Sequence, residues 1–410
     1  MEIKRPLIGR WAVKGCCFLG LWGCAWSCGA AGIKGVGGSH GGVLPGPGAL
    51  LPPGLGKKAA GIVAHAGGSK AGTLAQNKGT TTVATGINAF VSPASSTPGT
   101  GVASDGSLGS GVVSYGNSTY SIPASVGMQV GGNLFESFSQ FNLLQGEVAD
   151  FQGPSSVENI LARVTGGRAS SIDGTIESDI QGANLFLINP SGVMFGPDAS
   201  LNVSGAFTVS TADYVKLADG GQFNASLGAD DVLTAAAVSE FGFVSSTPAA
   251  ISFGGSQLAV PTGMGLNVIA GNVTLDSATG DTTTPGAMLR APSGNLTIFS
   301  VASDGALPFS LSATGAGYSA ASFTTLGAVS LSDGSSIEID SAQGGGQLVI
   351  RSGPLTVTRF STISSINAGA NAGGSIKLTA SALSVTDGGE IEAQAAGNGR
   401  AGNLEVDAAS

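Results

Sequence analysis

The chain has 410 residues, a formal net charge of −9, only 10% charged residues and 68 glycines, set against 42% apolar residues. Helical domains need runs of Leu, Glu, Lys, Arg and Gln; here Gly, Asn and Asp-Gly punctuation interrupts almost every stretch after residue 75, so many short strands joined by tight turns are implied instead. The acidic balance excludes a nucleic-acid partner, because no Lys/Arg cluster denser than Lys57-Lys58 exists to displace counterions from a polyphosphate.

Lys4, Arg5, Arg10 and Lys14 precede an apolar run from Gly15 to Trp26, which ends in the small residues Ser27, Cys28, Gly29, Ala30 and Ala31. Basic, apolar, then small is the order of a cleaved secretory signal, read over 1–31. The run is shorter than the roughly 20 apolar residues of a spanning helix, and no later segment predicts stable membrane insertion. Leu21-Trp22-Gly23-Cys24 loosely matches a lipidation site, with a bulky Trp against it. All 4 cysteines (Cys16, Cys17, Cys24, Cys28) lie in this segment, and the 2 histidines are His40 and His65. Without thiol or imidazole further on, the body of the chain has no disulfide, no Cys/His metal site and no Ser-His or Cys-His pair, so no catalytic, cofactor-binding or metal-ligating residue is expected.

Residues 32–75, with Leu44-Pro45-Gly46-Pro47-Gly48 and Leu51-Pro52-Pro53-Gly54, predict a flexible leader. Gly37-Gly38-Ser39-His40-Gly41 spells a nucleophile elbow but lacks the strand before it and the helix after it, which makes it a chance match in Gly-rich text. Strand signals begin at residue 76. The chain then presents, in order, Gly131-Gly132-Asn133-Leu134-Phe135-Glu136-Ser137-Phe138, then Val157-Glu158-Asn159-Ile160-Leu161-Ala162-Arg163-Val164, then Ser171-Ile172-Asp173-Gly174, and finally Ala183-Asn184-Leu185-Phe186-Leu187-Ile188-Asn189-Pro190-Ser191-Gly192-Val193. In order and spacing these blocks resemble the N-terminal secretion domain of the filamentous-haemagglutinin family of two-partner secretion exoproteins. The resemblance runs on through Leu258, Pro261, Gly263 and Gly271-Asn272-Val273-Thr274-Leu275 to about Ala302. Two departures stand out: Ser191 and Val193 replace the third and fifth residues of the family's Asn-Pro-Asn-Gly-Ile, and the Asn-Pro-Asn-Leu block nearer the start gives way to Gly-Gly-Asn-Leu-Phe. Both replacements at 191 and 193 keep a turn former and a β-branched residue.

Apolar residues at alternate positions, Leu201, Val203, Phe207 and Val209, with polar Asn202, Ser204, Thr208 and Ser210 between, predict a strand with one face in a core; Val273/Leu275 and Leu296/Ile298 repeat the pattern. Towards the end the sequence repeats itself. Gly346, Gly374 and Gly402 recur at intervals of 28, with Leu348/Ile350, Ile376/Leu378 and Leu404/Val406 in register. Val357/Ile363 and Val385/Ile391 are again 28 apart, and Leu331/Ile337 lies 26 before the first of these pairs. A period in the twenties built of short strands is one coil of a β-solenoid; leucine-rich repeats share the period but want Leu-x-x-Leu-x-Leu and an Asn ladder, which is absent from the sequence. The expected fold is therefore all-β, a right-handed parallel β-helix with an N-terminal capping secretion domain. It would span a secretion domain over 76–305 and repeats over 306–410, with about 13 coils at the strand spacing of roughly 4.8 Å.

The resemblance implies a secreted exoprotein or adhesin passenger, reaching the cell surface or the medium through the periplasm. Its partner would be an outer-membrane β-barrel transporter with periplasmic recognition domains, and outside it would meet a host or neighbouring cell surface, as a monomer. The residues that would carry secretion and transporter recognition are Asn133, Leu134, Phe135, Asn184, Asn189, Pro190, Ser191, Gly192 and Val193. For Asn189-Pro190 a plain turn between coils is an equally good reading. Two rival readings stand beside this one, apart from a front portion of a large secreted toxin. A polysaccharide-acting β-helix enzyme would need paired carboxylates, and Asp230-Asp231, adjacent and with no Lys/Arg partner apparent in the sequence, would point to opposite faces of a strand. A calcium-binding repeat needs a dense Gly-Gly-x-Gly-x-Asp array, whereas Asp173, Asp219, Asp333 and Asp387 each open a turn.

Overall fold

The computed structural model describes residues 97–311 and 318–409. The signal (1–31), the leader (32–75), Cys24 and the Gly37–Gly41 match lie outside the described residues.

The described chain is a parallel β-helix. Its first face is a row of strands, Asn133–Phe141, Asn159–Val164, Asn184–Ile188, Phe207–Ser210, Leu266–Ala270, Asn295–Ser300, Gln347–Val357, Ser375–Val385 and Leu404–Ala408, each paired parallel with the next. A second face runs through Ser170–Ile172, Val193–Phe195, Ile251–Gly254, Val273–Asp276 and Val329–Leu331, and continues in the C-terminal halves of the two eleven-residue strands. The third face holds Thr119–Pro123, Val148–Gln152, Thr175–Ser178 and Ser200–Asn202, then Gln257–Ala259, Met288–Arg290, Ser336–Glu338, Thr362–Asn367 and Glu390–Ala395.

Side chains alternate along each strand, so every second residue points inward and stacks on its equivalent in the next coil. One interior ladder is Leu134, Ile160, Leu185, Phe207, Leu266, Leu296, Leu348 and Ile376, all no more than 1% exposed, and it ends at Leu404. Each buried aliphatic rung stabilises the stack by about 1.5–3 kcal/mol. The 28-residue repeat is seen directly: Leu348 registers with Ile376 and Ile376 with Leu404, Val357 with Val385, and Ile363 with Ile391. Leu331 and Ile337 fall one coil earlier, opposite Val357 and Ile363.

Three expectations need correction. The alternation from Leu201 to Val209 belongs to two strands on different faces, Ser200–Asn202 and Phe207–Ser210. Thr208 and Ser210, expected to face solvent, are at most 1% exposed. The stack also has fewer coils than length suggested, nine first-face strands among the described residues, because residues 211–250, 301–311 and 318–328 leave it.

These two excursions cover outward-pointing residues of the first face. They supply the strands Tyr214–Leu217, Gln222–Asn224, Val238–Phe243 and Gly305–Pro308, which form an antiparallel sheet. The sheet packs on the outside of the first face and makes a second core, in which Phe135, Leu161, Phe186, Ile269 and Phe299 meet Phe223, Phe241 and Leu307. An outward-pointing phenylalanine in a solenoid strand therefore marks a covered face. At the N-terminal end, Val102–Ser104 and Met128–Val130 run antiparallel along Asn133–Phe141 and occupy the edge that would otherwise invite aggregation.

Candidate functional site

The Gly-Gly-Asn-Leu-Phe block starts the first coil. Leu134 enters the interior ladder and Phe135 enters the outer core, its ring 5.1 Å from that of Phe223 and edge-on to it. Asn133 opens a ladder of side-chain amides that the sequence did not announce. Asn159 Nδ2 donates to Asn133 Oδ1 at 2.9 Å, Asn184 Nδ2 donates to Asn159 Oδ1 at 2.9 Å, and the Ala206 amide donates to Asn184 Oδ1 at 3.0 Å. At the upper end Asn133 Nδ2 donates to the carbonyls of Thr234 and Ala236, at 2.9 and 2.7 Å. The row crosses four coils and ties them to the first excursion. A side-chain amide carries both a donor and an acceptor, so each rung can donate to the one above and accept from the one below.

Asn189-Pro190-Ser191-Gly192-Val193 forms the corner between the first and second strands of one coil, so the turn lies within a coil and not between coils. Asn189 is 0% exposed. Its Oδ1 accepts from the Ser191 amide at 2.9 Å, and its Nδ2 donates to the Arg168 carbonyl and to Ser170 Oγ, both at 3.0 Å in the coil above. Gly192 sits at φ +105, where a side chain is strained, and an added Cβ would lie 3.0 Å from the Ala250 carbonyl. Val193 then enters the interior, opposite Ser170 and Ile251. Pro190 and Ser191 are partly exposed. Asn189→Ala should lower stability by about 2 kcal/mol, because it takes the partner from the buried Ser170 hydroxyl, the Arg168 carbonyl and the Ser191 amide; urea unfolding followed by circular dichroism checks this.

The blocks hold a second cluster that sequence reasoning missed. Arg163 is 2% exposed beneath the first excursion. Its Nε donates to Ser137 Oγ at 2.7 Å, Nη1 to Asp231 Oδ2 at 2.7 Å and to the Asn224 carbonyl, and Nη2 to Ser107 Oγ at 3.2 Å; the guanidinium carbon lies 4.5 Å from the centre of the Phe223 ring. Asp105 accepts from Ser137 Oγ and Thr165 Oγ1. Burial pushes its carboxyl up, but hydrogen bonds with Ser137, Ser107 and Thr165 outweigh this and hold it below the usual carboxylate range. Asp231 thus has an arginine partner, contrary to the sequence expectation, and Asp230-Asp231 lies in a loop instead of a strand. Its other oxygen accepts from the Asn224 amide at 2.8 Å, so this carboxylate is spent on structure. Of the Asp-Gly turns, Asp219 closes a hairpin, while Asp173, Asp333 and Asp387 make corners between the second and third faces. Among the described residues no helix is long and apolar enough to cross a membrane.

A family model described as TPS secretion domain matches residues 100–409. The heme/hemopexin-binding protein of Haemophilus influenzae is 32% identical over 84 residues, which cover 20% of this chain and 9% of that protein, so the match spans only a small part of the relative. The secretion domain of HMW1 from Haemophilus influenzae is 17% identical with a TM-score of 0.46, covering 72% of this chain and 75% of that one. The filamentous hemagglutinin secretion domain is 19% identical with a TM-score of 0.34, covering 74% and 99% respectively.

Proposed function

The chain belongs to the TPS secretion domain family, and from that premise we propose how it is used. The family is one of secretion domains and not of enzymes, and its role is to direct export through a partner outer-membrane transporter. In the proposed route a signal over 1–31 takes the chain across the inner membrane, and the leader over 32–75 precedes a secretion domain over 76–305. Periplasmic domains of the transporter bind the chain through Asn133, Leu134, Phe135, Asn184 and Asn189–Val193 while it is extended. Outside the cell the coils over 306–410 continue the stack, and the product acts without catalysis, as a monomeric adhesin on a host or neighbouring cell surface.

Burial carries this reading. Asn133, Leu134, Phe135, Asn189 and Val193 are each at most 1% exposed, so the folded domain offers none of them to a receptor. If these residues are what the transporter reads, it reads them before folding. A chain without cysteine beyond Cys28 also has no disulfide to lock it prematurely. Coil-by-coil growth outside would then bias transit outward, each coil burying apolar area at about 25 cal/mol per Å².

The test is a binding comparison with the periplasmic domains of a two-partner outer-membrane transporter. Urea-released chain, diluted into buffer and captured at once, is expected to bind at least tenfold more than chain allowed to refold first. Equal binding of the two preparations would overturn recognition of the unfolded segment.

A further inference from the structure

Glu136 occupies the first rung of an interior ladder whose other rungs are Ala162, Leu187, Val209, Val268, Ile298, Ile350, Leu378 and Val406. It is 0% exposed, and neither carboxyl oxygen has a hydrogen-bond partner among the described residues. The N-terminal cap closes directly on it: a Cβ at Gly127 would lie 2.7 Å from Glu136 Cγ. The elements packed on its strand are Val102–Ser104, Ala124–Val126, Met128–Val130, Asn159–Val164 and Ser170–Ile172, and the one charged residue they carry is Arg163. Arg163 stands on the outer side, bound to Ser137 and Asp231. On the third face, Asp150 lies between the core residues Ala149 and Phe151, and so points away from the interior. Nothing of opposite charge therefore compensates the burial, which pushes the Glu136 carboxyl well above its ordinary range.

We propose that Glu136 is a proton-linked gate on closure of the first coil and its cap. In the open chain the group is a solvated carboxylate; to enter the interior it takes one proton from water and becomes a neutral acid. Because the folded state holds the proton more tightly, its contribution to stability is fully present below the ordinary value near 4.5 and is lost as pH rises. At neutral pH the cap of a chain in transit closes less readily than one with an aliphatic rung at this position. This last consequence rests on the export reading above; the proton linkage itself does not.

The experiment follows urea unfolding of the full chain by circular dichroism between pH 5 and 8, for the wild type, Glu136→Gln and Glu136→Met. The wild-type folding constant is expected to fall by up to about tenfold more per pH unit than that of either variant. Asp276, pushed up to about 6 by burial and by Asp333, together with Asp150, Asp173 and Glu177, each raised mainly by burial, gives all three proteins a common background in the same direction. Identical pH dependence in wild type and variants would overturn the proposal. If neither variant refolds, proton uptake during wild-type refolding in weak buffer at pH 7 decides: uptake exceeding what these four carboxyls supply supports the gate, and its absence refutes it. In an export assay Glu136→Met should reach the medium in smaller amounts than the wild type. Unchanged export beside altered pH dependence would refute the gate's use in transit while leaving the linkage intact.

Discussion

Replacing Leu296 by aspartate is expected to destabilise the protein by more than about 4 kcal/mol and to cut the amount reaching the medium at least tenfold. Leu296 is 0% exposed and sits between Leu266 and Leu348 in an interior ladder of the first face. An aspartate there would bury a charge with no partner and remove an aliphatic contact to both neighbouring coils. The loss is not local, because each coil satisfies the backbone of the next, and one coil that cannot close leaves two unpaired edges. Ser384→Asp is the matched control; it is exposed on an outer face two coils on and should change stability by less than about 0.5 kcal/mol. A Leu296→Asp chain exported at the wild-type rate would refute the idea that stacking outside the cell drives transit.

Arg163→Met is expected to cost about 3–5 kcal/mol, the usual loss when one member of a buried ion pair is removed and the other is left behind. The guanidinium joins Ser137 of the first coil, Asn224 and Asp231 of the first excursion and Ser107 of the N-terminal cap, so one buried cation ties three parts of the chain together. Adding Asp231→Asn to Arg163→Met should recover part of the loss, since a neutral amide is cheaper to leave in place than a carboxylate. The double-mutant cycle should therefore give a coupling of at least about 1 kcal/mol, read from urea midpoints of all four proteins. Additive losses would mean that the arginine acts through packing on Phe223 and not through its charge.

The legible parts of the fold are those where one coil follows the next without interruption. Leu348, Ile376 and Leu404 could be aligned because nothing is inserted between their coils, whereas Phe207 and Leu266, neighbours in the same ladder, are separated by an excursion that erases the period. The covered outer face was hidden for a related reason. Phe135 and Phe186 point away from the helix interior, and residues brought in from 211–250, 301–311 and 318–328 explain why they are apolar. Arg163 and Asp231 lie 68 positions apart, so no local pattern joins them. The amide ladder did leave a trace, since Asn133, Asn159 and Asn184 recur at about the coil period and each opens a strand. Asparagine at a strand start also reads as ordinary turn chemistry, which masked it. The candidate recognition residues fall at strand starts and at a corner within one coil, and the burial of Asn133, Leu134, Phe135, Asn189 and Val193 depends on neighbours in other coils and had no signature of its own.

The coil stack itself is tested most directly by a disulfide between layers. The hydroxyls of Thr358 and Thr386, 28 residues apart, lie 3.1 Å from each other on the exposed side of adjacent coils. A Thr358→Cys/Thr386→Cys chain is predicted to form that bridge on mild oxidation in native buffer and not in urea, with peptide mapping separating it from any link to the four native cysteines. Failure to form it in the folded chain, or equal yield in urea, would contradict a structure in which these two turns are neighbours.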